Sequence, residues 1–114
     1  MLKTAFSASV LLLALNTAAL AADKGIRFWN LTSATIAKFY MSPAGTNNFT
    51  FNQCENDRDG TVDHDERLKI TGITGGKFDI KLAYEDGKVC IAKDISVKDG
   101  GVFSLEDKNL SCNR

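Results

Sequence analysis

The sequence is poor in proline, in histidine and in net charge. Its 114 residues include one proline and one histidine, and 14 Lys plus Arg balance 14 Asp plus Glu. A single proline excludes proline-rich and collagen-like segments. Because the charges balance, the sequence has no excess of basic residues that would bind nucleic acid or an anionic lipid surface. Nucleic acid is therefore not expected as a partner.

No apolar run is long enough to span a bilayer, which needs about 20 residues. The longest, residues 5–15, follows a basic start at Lys3 and precedes Ala19-Leu20-Ala21, where the small residues match a signal-peptidase site. The sequence therefore predicts a signal peptide over residues 1–21 and one mature domain over residues 22–114. We expect that domain to be periplasmic or secreted, with no membrane span after processing.

Helical periodicity is absent after residue 21, and short segments alternate with a period of two instead. The clearest places Phe78, Ile80, Leu82 and Tyr84 on one face. Similar short segments separated by turn residues cover residues 26–31, 35–41, 66–71, 88–97 and 102–105. The pattern predicts an all-β fold, a small antiparallel β-sandwich of the immunoglobulin-like or transthyretin-like kind, whose first two strands form a hairpin.

Cysteine is scarce, and no C-x-x-C motif indicates a redox or zinc site. Three cysteines in an exported domain predict one disulfide and one free thiol. Alternation in residues 88–97 turns four apolar side chains inward: Val89, Ile91, Ile95 and Val97. Cys90 then lies on the outer face, where it can reach Cys54 in the long polar connection predicted over residues 43–65. We therefore predict a Cys54–Cys90 bond with Cys112 free, and the two other pairings stay open.

The acidic segment 55–66 matches much of a twelve-residue calcium loop. Gly60 occupies the sharp turn at position 6, and Glu66 occupies the bidentate position 12. The positions between them carry oxygen donors that favour calcium as a possible cofactor: Asp57, Asp59, Thr61 and Asp63. Position 1 holds Glu55 instead of Asp, and neither flank is helical. The alternative is a solvated turn whose Asp side chains cap backbone N–H groups.

Signals for catalysis are few, since no G-x-S-x-G motif occurs. A small hydrolase using His64, a cysteine thiol or the acidic loop is the enzyme alternative, and we expect a protein that is not an enzyme. Aromatic residues concentrate in the predicted hairpin, where Trp29 and Tyr40 are candidates for a surface that binds a protein or a glycan of the cell envelope.

Three motifs together resemble those of small exported bacterial proteins of unassigned role. They are an Asn-x-Thr turn at residues 30–32, Ser-Pro-x-Gly at 42–45 and Asp-Gly-x-Val-Asp-x-Asp-Glu at 59–66. Residues 76–87 are also similar to a hairpin of transthyretin-like sandwich modules, with Phe78 where those modules usually have Tyr. The resemblance implies a β-sandwich and brings no activity. We expect a non-enzymatic exported binding or envelope-associated accessory module, with a calcium-binding β module as the alternative.

Overall fold

The structure is a computed structural model that describes residues 25–113, so the predicted signal peptide lies outside the described residues. Its strands are β1 Arg27–Asn30, β2 Ile36–Pro43, β3 Arg67–Lys69, β4 Gly76–Tyr84, β5 Val89–Val97, β6 Val102–Leu105 and β7 Ser111–Cys112. Two short 3₁₀ helices cover Gln53–Asn56 and Asp107–Asn109. Between residues 25 and 113, no helix has the length and hydropathy needed to cross a bilayer.

Two sheets face each other across a common core. One has the strand order β3-β1-β6 and the other the order β2-β4-β5-β7. Phe28 of the first sheet stacks on Phe39 of the second with ring centroids 4.3 Å apart, and Phe103 lies 5.4 Å from Phe28. The predicted β-sandwich is confirmed. Its one departure from antiparallel pairing is the parallel contact between β1 and β6.

The alternation predicted for β4 is confirmed. Its four apolar side chains are buried, and Ile80 and Leu82 are fully so. Lys77 and Lys81 lie on the other side of the strand and are exposed. Because side chains alternate across a strand, β4 separates the core from a charged outer surface.

The predicted hairpin of β1 and β2 is wrong, because these strands belong to different sheets. The connection between them is held by the buried side chain of Asn30, whose amide donates to the carbonyl groups of Ala34 and Val62 at 3.1 and 2.9 Å. These bonds carry the chain across the sandwich instead of folding it back along β1. The connection is therefore an arch between two layers.

The predicted Cys54–Cys90 bond is also wrong, since Cys90 is bonded to Cys112 and Cys54 is a buried free cysteine. Alternation does not continue through β5, because the pairing of β4 with β5 shifts register between Phe78 and Ile80. On β5 the extra residue lies near Asp94, which has a φ of 56°. Before this bulge the even positions face the core, so Cys90 and Ala92 are buried while Val89 and Ile91 are only half-buried.

The long connection between β2 and β3 covers the outer edge of β2. Ile36 and Val62 exchange two backbone hydrogen bonds of 2.9 Å, and the Phe39 N–H donates to the side-chain oxygen of Asn52 at 3.0 Å. Cys54 and Val62, which belong to this connection, are buried. The segment read as polar from the sequence therefore completes the core and shields a strand edge.

Candidate functional site

The carboxylates of the acidic segment bond to nearby donors instead of converging on one point. Asp57 accepts the N–H of Asp59 at 3.0 Å, and Glu66 accepts the N–H of Asp63 at 2.8 Å. Asp63 itself accepts the hydroxyl of Thr35 at 3.0 Å. The bonds of Asp57 and Glu66 are local caps of two successive turns, which is the alternative that the sequence left open, whereas Asp63 bonds to a residue 28 positions earlier.

A calcium ion requires several oxygen ligands around one centre. Over residues 25–113, no group of three or more His, Cys, Asp or Glu side chains is placed to hold a metal ion. Gly60 does adopt the left-handed turn conformation expected of it, with a φ of 75°. The predicted calcium ligands Asp57, Asp59, Thr61, Asp63 and Glu66 thus remain a prediction that this geometry does not support.

Trp29 joins the end of the acidic segment to the three-stranded sheet. Its indole N–H donates to the Asp65 carboxylate at 2.9 Å, and the guanidinium carbon of Arg67 lies 4.3 Å from the ring centroid. Asp65 adopts a positive φ of 71° at this contact. One ring face is therefore covered by a cation, and the polar edge is engaged within the protein.

Tyr40 lies on the opposite side of the sandwich from Trp29. Phe28 and Phe39 are their neighbours in sequence and meet in the core, so alternation directs Trp29 and Tyr40 away from each other. Tyr40 lines an open groove of about 480 Å³ together with Lys38 and Lys81. The two candidates for the partner surface consequently belong to two separate surfaces.

Asn30 is a structural residue that sequence reasoning did not identify. It is fully buried, and its side-chain oxygen accepts the N–H and the hydroxyl of Thr32 at 3.0 and 2.6 Å. With its two donated bonds, the side chain is saturated. The sequence signal for this structural role was the Asn-x-Thr motif at the end of a predicted strand. The same motif also matches a glycosylation sequon, but burial makes the Asn30 amide inaccessible in the folded protein.

The chemistry expected of a catalytic thiol is missing at Cys54. Burial, aided by the charge of Asp57, raises the pKa of the Cys54 thiol to about 12. The thiol therefore stays protonated at neutral pH and is a poor nucleophile. His64 is exposed and donates its Nδ1–H to the carbonyl of Thr32 at 2.8 Å, so this ring nitrogen is engaged by the backbone.

A second open groove, of about 550 Å³, lies where the β2–β3 connection meets the turn after β3. Its apolar surface comes from five side chains: Met41, Pro43, Phe51, Ile73 and Phe78. Phe51 is 43% exposed and is one of two large hydrophobic side chains that are exposed among residues 25–113. The groove has the volume of a ligand site and an aromatic wall open to solvent.

The polar groups at the base of this groove are already paired. The buried side chain of Gln53 accepts the N–H of Thr71 at 3.0 Å and donates to its carbonyl at 2.9 Å. Asn56 donates to Gln53 and to the Lys69 carbonyl at 2.9 and 2.8 Å. This network fixes the two walls of the groove relative to each other, so the groove is formed before any ligand arrives.

Comparison of the chain with models of protein families, with curated proteins and with solved structures finds no match. Functional inference therefore depends on the geometry of the chain itself.

Proposed function

We propose that this protein is an exported, non-enzymatic binding module that holds an apolar side chain of a partner protein in the groove beside Phe51. The observation that carries the proposal is the preformed apolar groove of about 550 Å³ with Phe51 exposed along its wall. Removing the Phe51 ring from water favours binding, and burial of such a side chain contributes about 1.5–3 kcal/mol.

Export is part of this proposal. The signal peptide predicted over residues 1–21 and the Cys90–Cys112 bond both support an oxidising compartment outside the cytoplasm. In the cell envelope such a module acts as an accessory protein that recognises another protein.

An apolar side chain suits the groove better than a sugar does. Sugar sites present several free hydrogen-bonding groups, whereas Gln53 is occupied by its bonds to Thr71 and Asn56. The rim does contain the exposed hydroxyl groups of Thr50 and Thr74, which can bind the backbone of an approaching peptide. A peptide can place one apolar side chain against the apolar wall of the groove while its backbone hydrogen-bonds to the hydroxyl groups of the rim.

The test is selection of peptides from a random display library against the purified, disulfide-bonded protein. We expect enriched peptides to share a large apolar residue and to shift NMR amide signals of residues 48–53 and 71–74. Phe51→Ser should weaken their binding by roughly 10- to 100-fold, which corresponds to about 1.4–2.8 kcal/mol.

Tyr40→Ser is the matched control, because it removes a half-buried aromatic ring from a different surface. Binding should be unchanged in this variant. Selection without an enriched sequence, or loss of binding in Tyr40→Ser and not in Phe51→Ser, would contradict the proposal.

A further inference from the structure

The outer face of the four-stranded sheet carries an aromatic ring between two cations. Tyr40 pairs across strands with Lys81, and Lys38 lies two residues before Tyr40 on the same face of β2. Lys38, Tyr40 and Lys81 all line the open groove of about 480 Å³. We call these three residues the Tyr40 face.

The lysines of the Tyr40 face have uncharged cross-strand neighbours. Lys38 pairs with Ala83, and Lys81 pairs with Tyr40 on one side and with Ile91 on the other. Both lysines are exposed. Because neither lysine has an oppositely charged cross-strand partner, both ammonium groups are available to an anion.

Carboxylates lie at both ends of this face. Glu85 lines one end of the groove, and Asp94 lies at the bulge of β5 beyond the other end. Asp79 lies two residues before Lys81 on the same face of β4, but it is buried, and its two oxygens accept the N–H groups of Gly45 and Asp94 at 2.9 and 3.0 Å. The middle of the face is therefore cationic and its ends are anionic.

The corresponding face of the other sheet is built differently. There the aromatic ring of Trp29 is covered by Arg67 and tied to Asp65, so ring and cation are engaged with each other. At Tyr40 a cation and an aromatic ring stand side by side above a groove instead. This arrangement leaves both available to a ligand.

We propose that the Tyr40 face binds an acidic saccharide, a ligand class separate from the peptide of the proposed function. A sugar ring stacks its C–H groups on the Tyr40 ring while its carboxylate or sulfate group meets Lys38 and Lys81. The volume of the groove falls in the range of small-ligand sites.

The sheet itself argues against the other anionic ligands. β4 is hydrogen-bonded on both sides, to β2 and to β5, so an acidic peptide finds no strand edge here to extend. A flat anionic bilayer would meet Glu85 and the exposed Asp86 beside the face and would be repelled. A single saccharide chain can lie along the cationic middle and avoid both.

The test is a calorimetric titration of the full disulfide-bonded protein with trigalacturonate, and with galactotriose as its uncharged counterpart. We expect trigalacturonate to bind, with affinity that falls as salt is added, and galactotriose to bind at least about tenfold more weakly. Lys81→Glu and Lys38→Glu should each lower the affinity for trigalacturonate by roughly tenfold or more. Both side chains are exposed, and circular dichroism verifies that the variants fold.

Lys69→Glu is the matched control, since it makes the same charge change at an exposed strand position of the other sheet. Its affinity should stay within about twofold of the unmodified protein. Phe51→Ser should also bind trigalacturonate normally, which separates this proposal from that of the apolar groove. The proposal is wrong if trigalacturonate does not bind, if Lys69→Glu weakens binding as much as Lys81→Glu, or if polyglutamate or anionic phosphatidylglycerol vesicles bind more tightly.

Discussion

Asp79 is a buried carboxylate that joins two separate segments to β4. It accepts the N–H of Gly45 in the turn after β2 and the N–H of Asp94 in the bulge of β5. These two backbone hydrogen bonds, first that of Gly45, hold the pKa of the Asp79 carboxyl below its ordinary value of 3.8. Asp79 therefore stabilises the fold most when it is ionised.

The pH dependence of stability follows from the lowered pKa of Asp79. A carboxyl with a lower pKa in the folded state stabilises the protein above its unfolded-state pKa and loses this contribution as pH falls through the folded-state value. Asp79→Asn should lower the melting temperature by several degrees at neutral pH, because one amide oxygen cannot replace two charged acceptors. Thermal unfolding of both proteins should show this difference shrinking below about pH 3.8; a difference that is constant with pH would contradict it.

The motif at Asn30 predicted local structure but not the long-range contact of its side chain. The Asn-x-Thr pattern indicates a turn, and the structure has a bend at residues 32–34. That the Asn30 amide also reaches Val62, 32 residues further along, could not be predicted, because local sequence carries no information on which distant carbonyl faces it.

The sequence predicted both the extent and the buried face of β4, but only the extent of β5. In β4 every second residue from Phe78 to Tyr84 is apolar and buried, so periodicity decides the face. In β5 the bulge near Asp94 changes which side chains face inward, and its local sign in the sequence is Lys93, a charged residue at a position that alternation turns inward. The wrong disulfide prediction came from this one extra residue.

Calcium binding by the acidic segment can be tested by thermal unfolding. Because Asp57, Asp63 and Glu66 accept hydrogen bonds from donors within the protein, we expect equal melting temperatures with calcium and with a chelator. A calcium site filled at a hundred times its Kd would add about 2.7 kcal/mol, which thermal unfolding detects easily. A rise in melting temperature with calcium that Asp59→Ala removes would restore the predicted calcium loop.

The disulfide fixes the last strand, β7, to the four-stranded sheet. Without this bond β7 would be held to the sheet only weakly. β7 has two residues, and both pair with β5 at Cys90 and Ile91. The bond closes a loop between cysteines 22 residues apart in sequence. By constraining the unfolded chain it compensates for the small core of a domain of this size.

Cys112→Ser should reduce the free energy of unfolding by about 3 kcal/mol, as expected for a loop of this length. Denaturant unfolding measures this value. Cys54→Ala is the control and should cost less, about 1–2 kcal/mol, because it removes one buried sulfur and no cross-link. Peptide mapping without reductant should yield a Cys90–Cys112 fragment, and a fragment that contains linked Cys54 would contradict the structure.

Local sequence was enough to predict the β class, the main strands and the presence of a disulfide, because alternation and turn residues act over a few neighbouring positions. The three-dimensional fold was needed to show that β1 and β2 separate into two sheets, that Cys90 bonds to Cys112 and that Asp57 and Glu66 cap their own turns. It also created both candidate sites. The groove beside Phe51 and the Tyr40 face each combine residues from distant segments, and such neighbours are chosen by core packing and strand register across the whole fold.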